Sequence, residues 1–194
     1  MKLLHIDSSA LGNQSVSRQL SADIVVQLRQ QTPTLEISYR DLAAQPLSHW
    51  TPATDAADPA AVLGGQMLTE FLAAEVIVIG APMYNFAISS QLKAWIDRIL
   101  VAGKTFRYTA NGPEGLVSGK RVIVASTRGG FYGKDSAAAT MDFQEPYLRA
   151  ALGFIGIVDV EFVRAEGVAV SEQHKAAALE SAHQNIAHVL AKAA

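Results

Sequence analysis

The sequence predicts an open α/β fold: a doubly wound sheet of five parallel strands with helices on both faces, forming one domain over residues 1–194. Three observations carry this. Segments with strand-like apolar spacing alternate with segments of helical spacing along the whole chain. The clearest strand, Val76-Ile77-Val78-Ile79-Gly80, is an unbroken β-branched run, as expected of a parallel strand covered on both faces. The 194 residues fit the usual size of one domain, roughly 100–200 residues, and no repeat or linker divides them.

The elements follow in order. Leu3-Leu4-His5-Ile6 forms a first strand ending at Asp7, and Ser15 and Ser17 offer caps for a helix whose Leu20, Ile24, Val25 and Leu28 recur at helical spacing up to Pro33. Leu35–Asp41 alternates apolar and polar side chains, as an edge or half-buried strand does. Ala43–Val62, with Pro46, Pro52 and Pro59, reads as a long connection before a helix carrying Met67, Leu68, Phe71 and Leu72. After the Val76 strand and the segment Ala81–Ser90, a helix stripe is formed by Leu92, Trp95, Ile96, Ile99 and Leu100. Phe106–Leu116 predicts a hairpin excursion around Asn111-Gly112. Val122–Ala125 is a fourth strand, followed by the loop Thr127–Asp135 and a helix ending near Gly153. Val158–Val163 is the last strand, and Leu179, Ile186 and Leu190 mark the final helix.

Composition excludes several function classes. The chain is 49% apolar with a net charge of −2 and both signs scattered, which gives no electrostatic case for nucleic acid or an anionic membrane. It has no cysteine, so disulfides, thiolate catalysis and cysteine-ligated metals are ruled out. The N-terminal segment lacks the apolar core of a secretion signal, and no apolar run is long enough to span a bilayer; a cytoplasmic protein is expected. No Walker motif, G-x-G-x-x-G after the first strand, G-x-S-x-G elbow or H-E-x-x-H is present, and His174, His183 and His188 fall on a helix face that reads as wet. No metal site is expected.

In open sheets of this type ligands bind beyond the carboxyl ends of the strands, where strand order reverses; in the flavodoxin-like order 2-1-3-4-5 that is between strands 1 and 3. Three loops reach that edge. The first, Ser8–Ser17, is rich in hydroxyls and opens a helix, so it suits either a phosphate at a helix N-terminus or ordinary capping. The second, Ala81-Pro82-Met83-Tyr84-Asn85-Phe86, sets a thioether and two aromatics around an amide, which suits a planar heterocycle; plain core filling is the better reading for Met83 but not for the tetrapeptide Met83–Phe86 as a whole. The third, Thr127-Arg128-Gly129-Gly130-Phe131-Tyr132-Gly133, has glycines that let main-chain N–H groups approach a ligand, or that simply make a turn.

Taken together, four segments resemble the FMN-dependent NADH-azoreductases. They are Pro82–Phe86; Phe106-Arg107-Tyr108-Thr109 with Asn111-Gly112-Pro113-Glu114-Gly115-Leu116; Arg128-Gly129-Gly130; and Gly153-Phe154-Ile155-Gly156. The resemblance runs from Leu3 to the last helix. It implies that Ser9 with Ser15, Val16 and Ser17 holds the phosphate of FMN. It implies that Met83, Tyr84, Asn85 and Phe86 embrace the isoalloxazine, with Thr127, Arg128, Gly129 and Gly130 at its polar edge. It further implies a homodimer with the active site at the subunit interface and Phe86, Tyr108 and Phe154 lining the substrate slot. Two positions depart from the common pattern: Val16 stands where relatives often carry a polar residue, and Thr127 where serine is common. The stretch 43–62 carries no Lys or Arg, which removes one candidate clamp for a 2′-phosphate and favours NADH over NADPH as donor.

The activity so implied is two-electron, ping-pong reduction of quinones and azo compounds, with no side chain needed as a nucleophile. The alternative is an FMN electron carrier of the flavodoxin kind, which is typically strongly acidic, unlike this chain. A phosphoacceptor signalling domain would want clustered acidic residues after the first strand, and only Asp7 is there.

Overall fold

The computed structural model describes residues 1–52, 55 and 57–191. Residues 53, 54 and 56 of the expected Ala43–Val62 connection lie outside the described residues. The elements are β1 (Lys2–Asp7), α1 (Val16–Gln31), β2 (Glu36–Asp41), α2 (Pro59–Ala73), β3 (Val76–Tyr84), β4 (Ala87–Ile88), α3 (Ser90–Ile99), β5 (Phe106–Thr109), β6 (Gly112–Gly115), β7 (Arg121–Thr127), α4 (Glu145–Phe154), β8 (Val160–Ala165) and α5 (Glu172–Ala191). The main sheet runs β2-β1-β3-β7-β8, every pair parallel, with the short β4 antiparallel to the end of β3; β5 and β6 form a separate hairpin. This is the order expected from the sequence.

Alternation along each strand divides the core in two, because successive side chains leave a strand on opposite faces. Leu4, Ile6, Ile77, Ile79, Val122 and Val124 pack with Met67 and Phe71 of α2, Trp95 and Ile99 of α3, and Leu148 and Leu152 of α4. Leu3, Val76, Val78, Ile123 and Val163 pack with Leu20 and Ile24 of α1 and with Ile186 and Leu190 of α5. Val76–Ile79 is therefore buried twice over, each side chain contributing about 1.5–3 kcal/mol by leaving water. Ser15 caps α1 by accepting the Arg18 N–H at 3.3 Å, and Ser89 caps α3 by accepting that of Leu92 at 3.2 Å.

Several boundaries differ from the sequence reading. Helix α2 begins at Pro59, which takes the first-turn position where a missing N–H costs nothing, so this proline opens the helix rather than belonging to the connection. β8 starts at Val160, two residues later than expected, because it pairs with β7 from Val122↔Val160 and leaves Val158 exposed. The hairpin turns at Ala110-Asn111, one residue before the expected centre, since Thr109 pairs with Gly112. β3 runs on to Tyr84, so the first four of the six residues of the expected second loop, Ala81–Tyr84, are strand.

Candidate functional site

The carboxyl ends of β1, β3 and β7 bring the three loops to one edge of the sheet. In the first, Ser8, Ser9, Ser15 and Ser17 are all buried. Ser8 Oγ donates to the Gly80 carbonyl at 2.8 Å, which ties this loop to β3. A single 3-10 turn, Gly12–Gln14, leads into Ser15, whose hydroxyl lies 3.0 Å from that of Ser17. The Arg18 N–H is spent on Ser15, whereas Val16 and Ser17 are the first two residues of α1, so their N–H groups have no acceptor within the helix. Two such donors beside two hydroxyls, at the positive end of a 16-residue helix, could cradle an anion with neutral donors.

Under the cradle lies a polar knot. Asp7, at the end of β1, accepts from Ser21 Oγ at 2.8 Å and Tyr39 OH at 3.0 Å. Arg18 binds both oxygens of Asp41 at 2.7 Å and also donates to the Ser9 carbonyl at 2.9 Å. The Arg18 guanidinium, helped by the N–H groups of Ala44 and Ala43, holds the Asp41 carboxyl down at about 2. Burial, with the neighbouring Asp7 charge, pushes the Tyr39 phenol up to about 12.

The second loop is a tight hairpin. Met83 pairs with Ile88 and Tyr84 with Ala87, and the two turn residues, Asn85 and Phe86, both adopt positive φ, 47° and 73°. A turn of this hand fits the twist of an antiparallel pair, and asparagine tolerates it, but phenylalanine there is strained by about 1–2 kcal/mol. In this conformation the Phe86 ring meets Tyr132 of the third loop edge-on at 6.2 Å. Tyr84 turns its hydroxyl to the first loop, 3.1 Å from Ser9 Oγ and 3.1 Å from the Ala10 N–H, so it joins two loops. An open groove of about 830 Å³, walled by Tyr84, Asn85, Ile88, Phe143, Pro146 and Tyr147, borders the hairpin. A second cavity of about 500 Å³, beside Trp50, Leu68, Arg98 and Phe106, lies away from the three loops.

In the third loop Thr127 is buried and Arg128 is 1% exposed. The Arg128 guanidinium meets Asp142 at 2.9 Å, Glu145 at 2.5 Å and Glu166 at 2.9 Å, and Arg164 shares Glu145 at 2.6 Å. Its N–H donates to the Ala165 carbonyl and its carbonyl accepts from Val168, so this residue shapes the loop from within. Gly129 and Gly130 are fastened through their carbonyls, to Ala169 and Gly167, and Glu166 also accepts the Tyr132 N–H at 2.8 Å. Gln144, which sequence reasoning passed over, is fully buried and bridges β3 and β7 by binding Ser126 at 2.8 Å and the Ala81 carbonyl at 2.9 Å. A lone polar residue just before a helix gives no local signal of that bridge. Arg18 also went unnoticed, although a cation at the third position of a helix opened by serines is a visible cue.

The remaining aromatics sit elsewhere. Phe106 packs on Phe154 at 4.7 Å and edge-on to Tyr108 at 5.6 Å, and Tyr108 is 75% exposed. Phe154 ends α4, a helix of 10 residues and so about 15 Å long, which starts beside Ala81 at the ligand edge. The hairpin β5–β6 docks on that far end so closely that a Cβ at Gly115 would stand 2.2 Å from the Gly156 nitrogen. Phe86 thus belongs to the three-loop edge, and Tyr108 and Phe154 to the opposite end of the same chain.

Comparison with known proteins agrees with this architecture. A family model described as the flavodoxin-like fold matches residues 1–190. An FMN-dependent NADH:quinone oxidoreductase 1 of Xanthomonas axonopodis pv. citri is 62% identical over 184 residues, covering 94% of this chain and 93% of its own length. An FMN-dependent NADH:quinone oxidoreductase of Methylocella silvestris is 57% identical over 194 residues, covering 94% and 95%. Among solved structures, an FMN-dependent NADH-azoreductase from Bacillus anthracis in complex with FMN superposes with a TM-score of 0.89 at 26% identity, covering 100% of this chain and 99% of that one.

Proposed function

This chain belongs to the flavodoxin-like fold family, and from that premise we propose that it is an FMN-dependent NAD(P)H oxidoreductase that reduces quinones and azo compounds. NADH is the expected donor and NADPH a possible one. The observation that carries the reading is the convergence of three loops on one sheet edge: free helix N–H groups beside Ser15 and Ser17, a strained Asn85-Phe86 turn, and the Gly129-Gly130 loop. The relatives at 62% and 57% identity are named FMN-dependent NADH:quinone oxidoreductases, and the azo part of the reading is supported by the name of the Bacillus anthracis FMN-dependent NADH-azoreductase.

The residues present fit FMN. Ser9, Ser15, Val16 and Ser17 would hold its phosphate with neutral donors. Met83, Tyr84, Asn85 and Phe86 would flank the ring system, and Thr127, Arg128, Gly129 and Gly130 would border its polar edge, Arg128 through the loop it organises rather than through its own guanidinium. When bound, FMN supplies the two-electron chemistry: a hydride taken from the nicotinamide and passed on to the acceptor. The protein's part is to fix the ring, keep one face open for planar partners and limit water there with aromatic side chains.

Phe86, Tyr108 and Phe154 are proposed to line the slot for those partners. Since Phe86 lies at one end of α4 and Phe154 at the other, a single slot holding all three requires two chains. We therefore propose a homodimer, which would also cover the exposed Tyr108 ring. The chain is read as one domain acting in the cytoplasm, with neither nucleic acid nor membrane as partner; no helix among the described residues is long and apolar enough to cross a bilayer.

Spectroscopic titration tests the reading. One FMN should bind per chain, NADH alone should bleach it, and a quinone should restore the colour, with parallel double-reciprocal lines in steady state. Absence of flavin binding refutes the proposal. If FMN binds but NADH leaves it oxidised, the electron-carrier alternative takes its place.

A further inference from the structure

We infer that Arg18 is a positioning residue for phosphate recognition: it holds the first loop in the shape that distinguishes FMN from riboflavin, without binding the phosphate itself. The inference rests on the flavin reading above and adds a residue to it.

Arg18 is the third residue of α1, one turn from the cradle, and its side chain folds back rather than reaching outward. Nη2 and Nε donate to the Ser9 carbonyl at 2.9 and 3.3 Å, while Nη1 and Nη2 bind the two Asp41 oxygens at 2.7 Å each. Its own N–H donates to Ser15 Oγ at 3.3 Å. The side chain therefore fastens Ser9 to Asp41 at the end of β2, while the backbone N–H, which any residue but proline would supply here, caps the helix through Ser15. Asp41 is fixed in turn, since one of its oxygens accepts the N–H groups of Ala43 and Ala44 at 3.0 Å.

Charge argues against direct phosphate binding. The guanidinium is bracketed by Asp41 at 2.7 Å and Asp7 at 3.8 Å, so the three groups together carry −1, not a surplus positive charge. The loop must then bind a phosphate by the placement of neutral N–H and O–H donors, and misplacing them by a fraction of an ångström costs affinity. Lysine could supply the charge but not a planar fork that serves a carbonyl and a carboxylate together.

Dissociation constants for FMN and for riboflavin, measured by flavin fluorescence on wild type, Arg18→Lys, Arg18→Gln and Asp41→Asn, test the assignment, with thermal unfolding of the flavin-free proteins run alongside. FMN binding should weaken about tenfold in both Arg18 variants, the equivalent of one charge-assisted hydrogen bond, while riboflavin binding stays within about twofold. Asp41→Asn is the discriminating variant and keeps an acceptor for Ala43 and Ala44. By Coulomb's law alone, removing this negative charge would tighten FMN; losing the anchor of Arg18 weakens it. Unchanged FMN affinity in Arg18→Lys, tighter FMN binding in Asp41→Asn, or equal losses for FMN and riboflavin would each overturn the inference. Wild-type protein that binds neither flavin would instead overturn the functional reading on which it stands.

Discussion

Replacing Gly80 with alanine sets a methyl group inside the polar knot beneath the first loop. The new Cβ would stand 2.4 Å from Asp7 Oδ1 and 3.2 Å from both the Ser17 carbonyl and Ser21 Oγ. Ordinary contact begins at 3.4 Å, so the Asp7 oxygen must retreat by the difference, 1.0 Å. It has little freedom to do so: Asp7 is buried, and its two oxygens are held by Ser21 at 2.8 Å and Tyr39 at 3.0 Å. A shift of that size breaks the Ser21 bond, worth about 1.5–3 kcal/mol for a charged acceptor, and overpacking alone costs about 1–3 kcal/mol. The stiffer alanine backbone returns about 0.4–1 kcal/mol through the unfolded state. A net loss of about 1.5–5.5 kcal/mol is expected, read as a lower urea midpoint with an unchanged slope. FMN affinity should fall as well, since the Gly80 carbonyl holds Ser8 and the Ser17 carbonyl is crowded directly. A stability within about 0.5 kcal/mol of wild type, the range of an ordinary surface change, would refute this account of why glycine stands there.

Three further outcomes are expected. Phe86→Ala and Tyr108→Ala should retain FMN but raise the acceptor KM or lower turnover with a bulky quinone; wild-type kinetics in both would return these rings to a structural role. The Asp41 carboxyl, held at about 2 against an unfolded value of 3.8, stabilises the fold fully above that unfolded value and loses its effect as pH falls towards 2; Tyr39, raised to about 12 from 10.0, contributes fully below pH 10.0 and fades as pH rises towards 12. Asp41→Asn should accordingly flatten the acid side of a stability–pH curve, and an unaltered acid limb would contradict the assignment. Light scattering at micromolar concentration should give about twice the chain mass of 20.7 kDa, and a value near the single mass would remove the two-chain slot.

The strand Val76–Ile79, the helix stripes and the serine loop were legible in the sequence because they follow from short-range rules, whereas the strand order was expected from likeness to the flavodoxin-like fold. Periods of 2 and 3.6, caps and β-branched runs need only neighbouring residues to be read. The same holds for the three loops at one edge, which the α/β alternation already implies. What long side chains do is decided by neighbours remote in sequence. Arg128, read as part of a ligand edge, turns into carboxylates at positions 142, 145 and 166. Arg18 reaches Asp41 because β2 pairs with β1, and Tyr84 gives its hydroxyl to Ser9 because β3 lies on the other side of that strand. Backbone hand is equally tertiary: Asn85 and Phe86 take positive φ because β4 folds back on β3, against the preference of phenylalanine itself. The length of α4 sets Phe86 apart from Phe154 within one chain, which no local pattern expresses. Sequence determined which elements form and in what order; only their packing in space decided which polar groups were already spoken for and which remained free to bind.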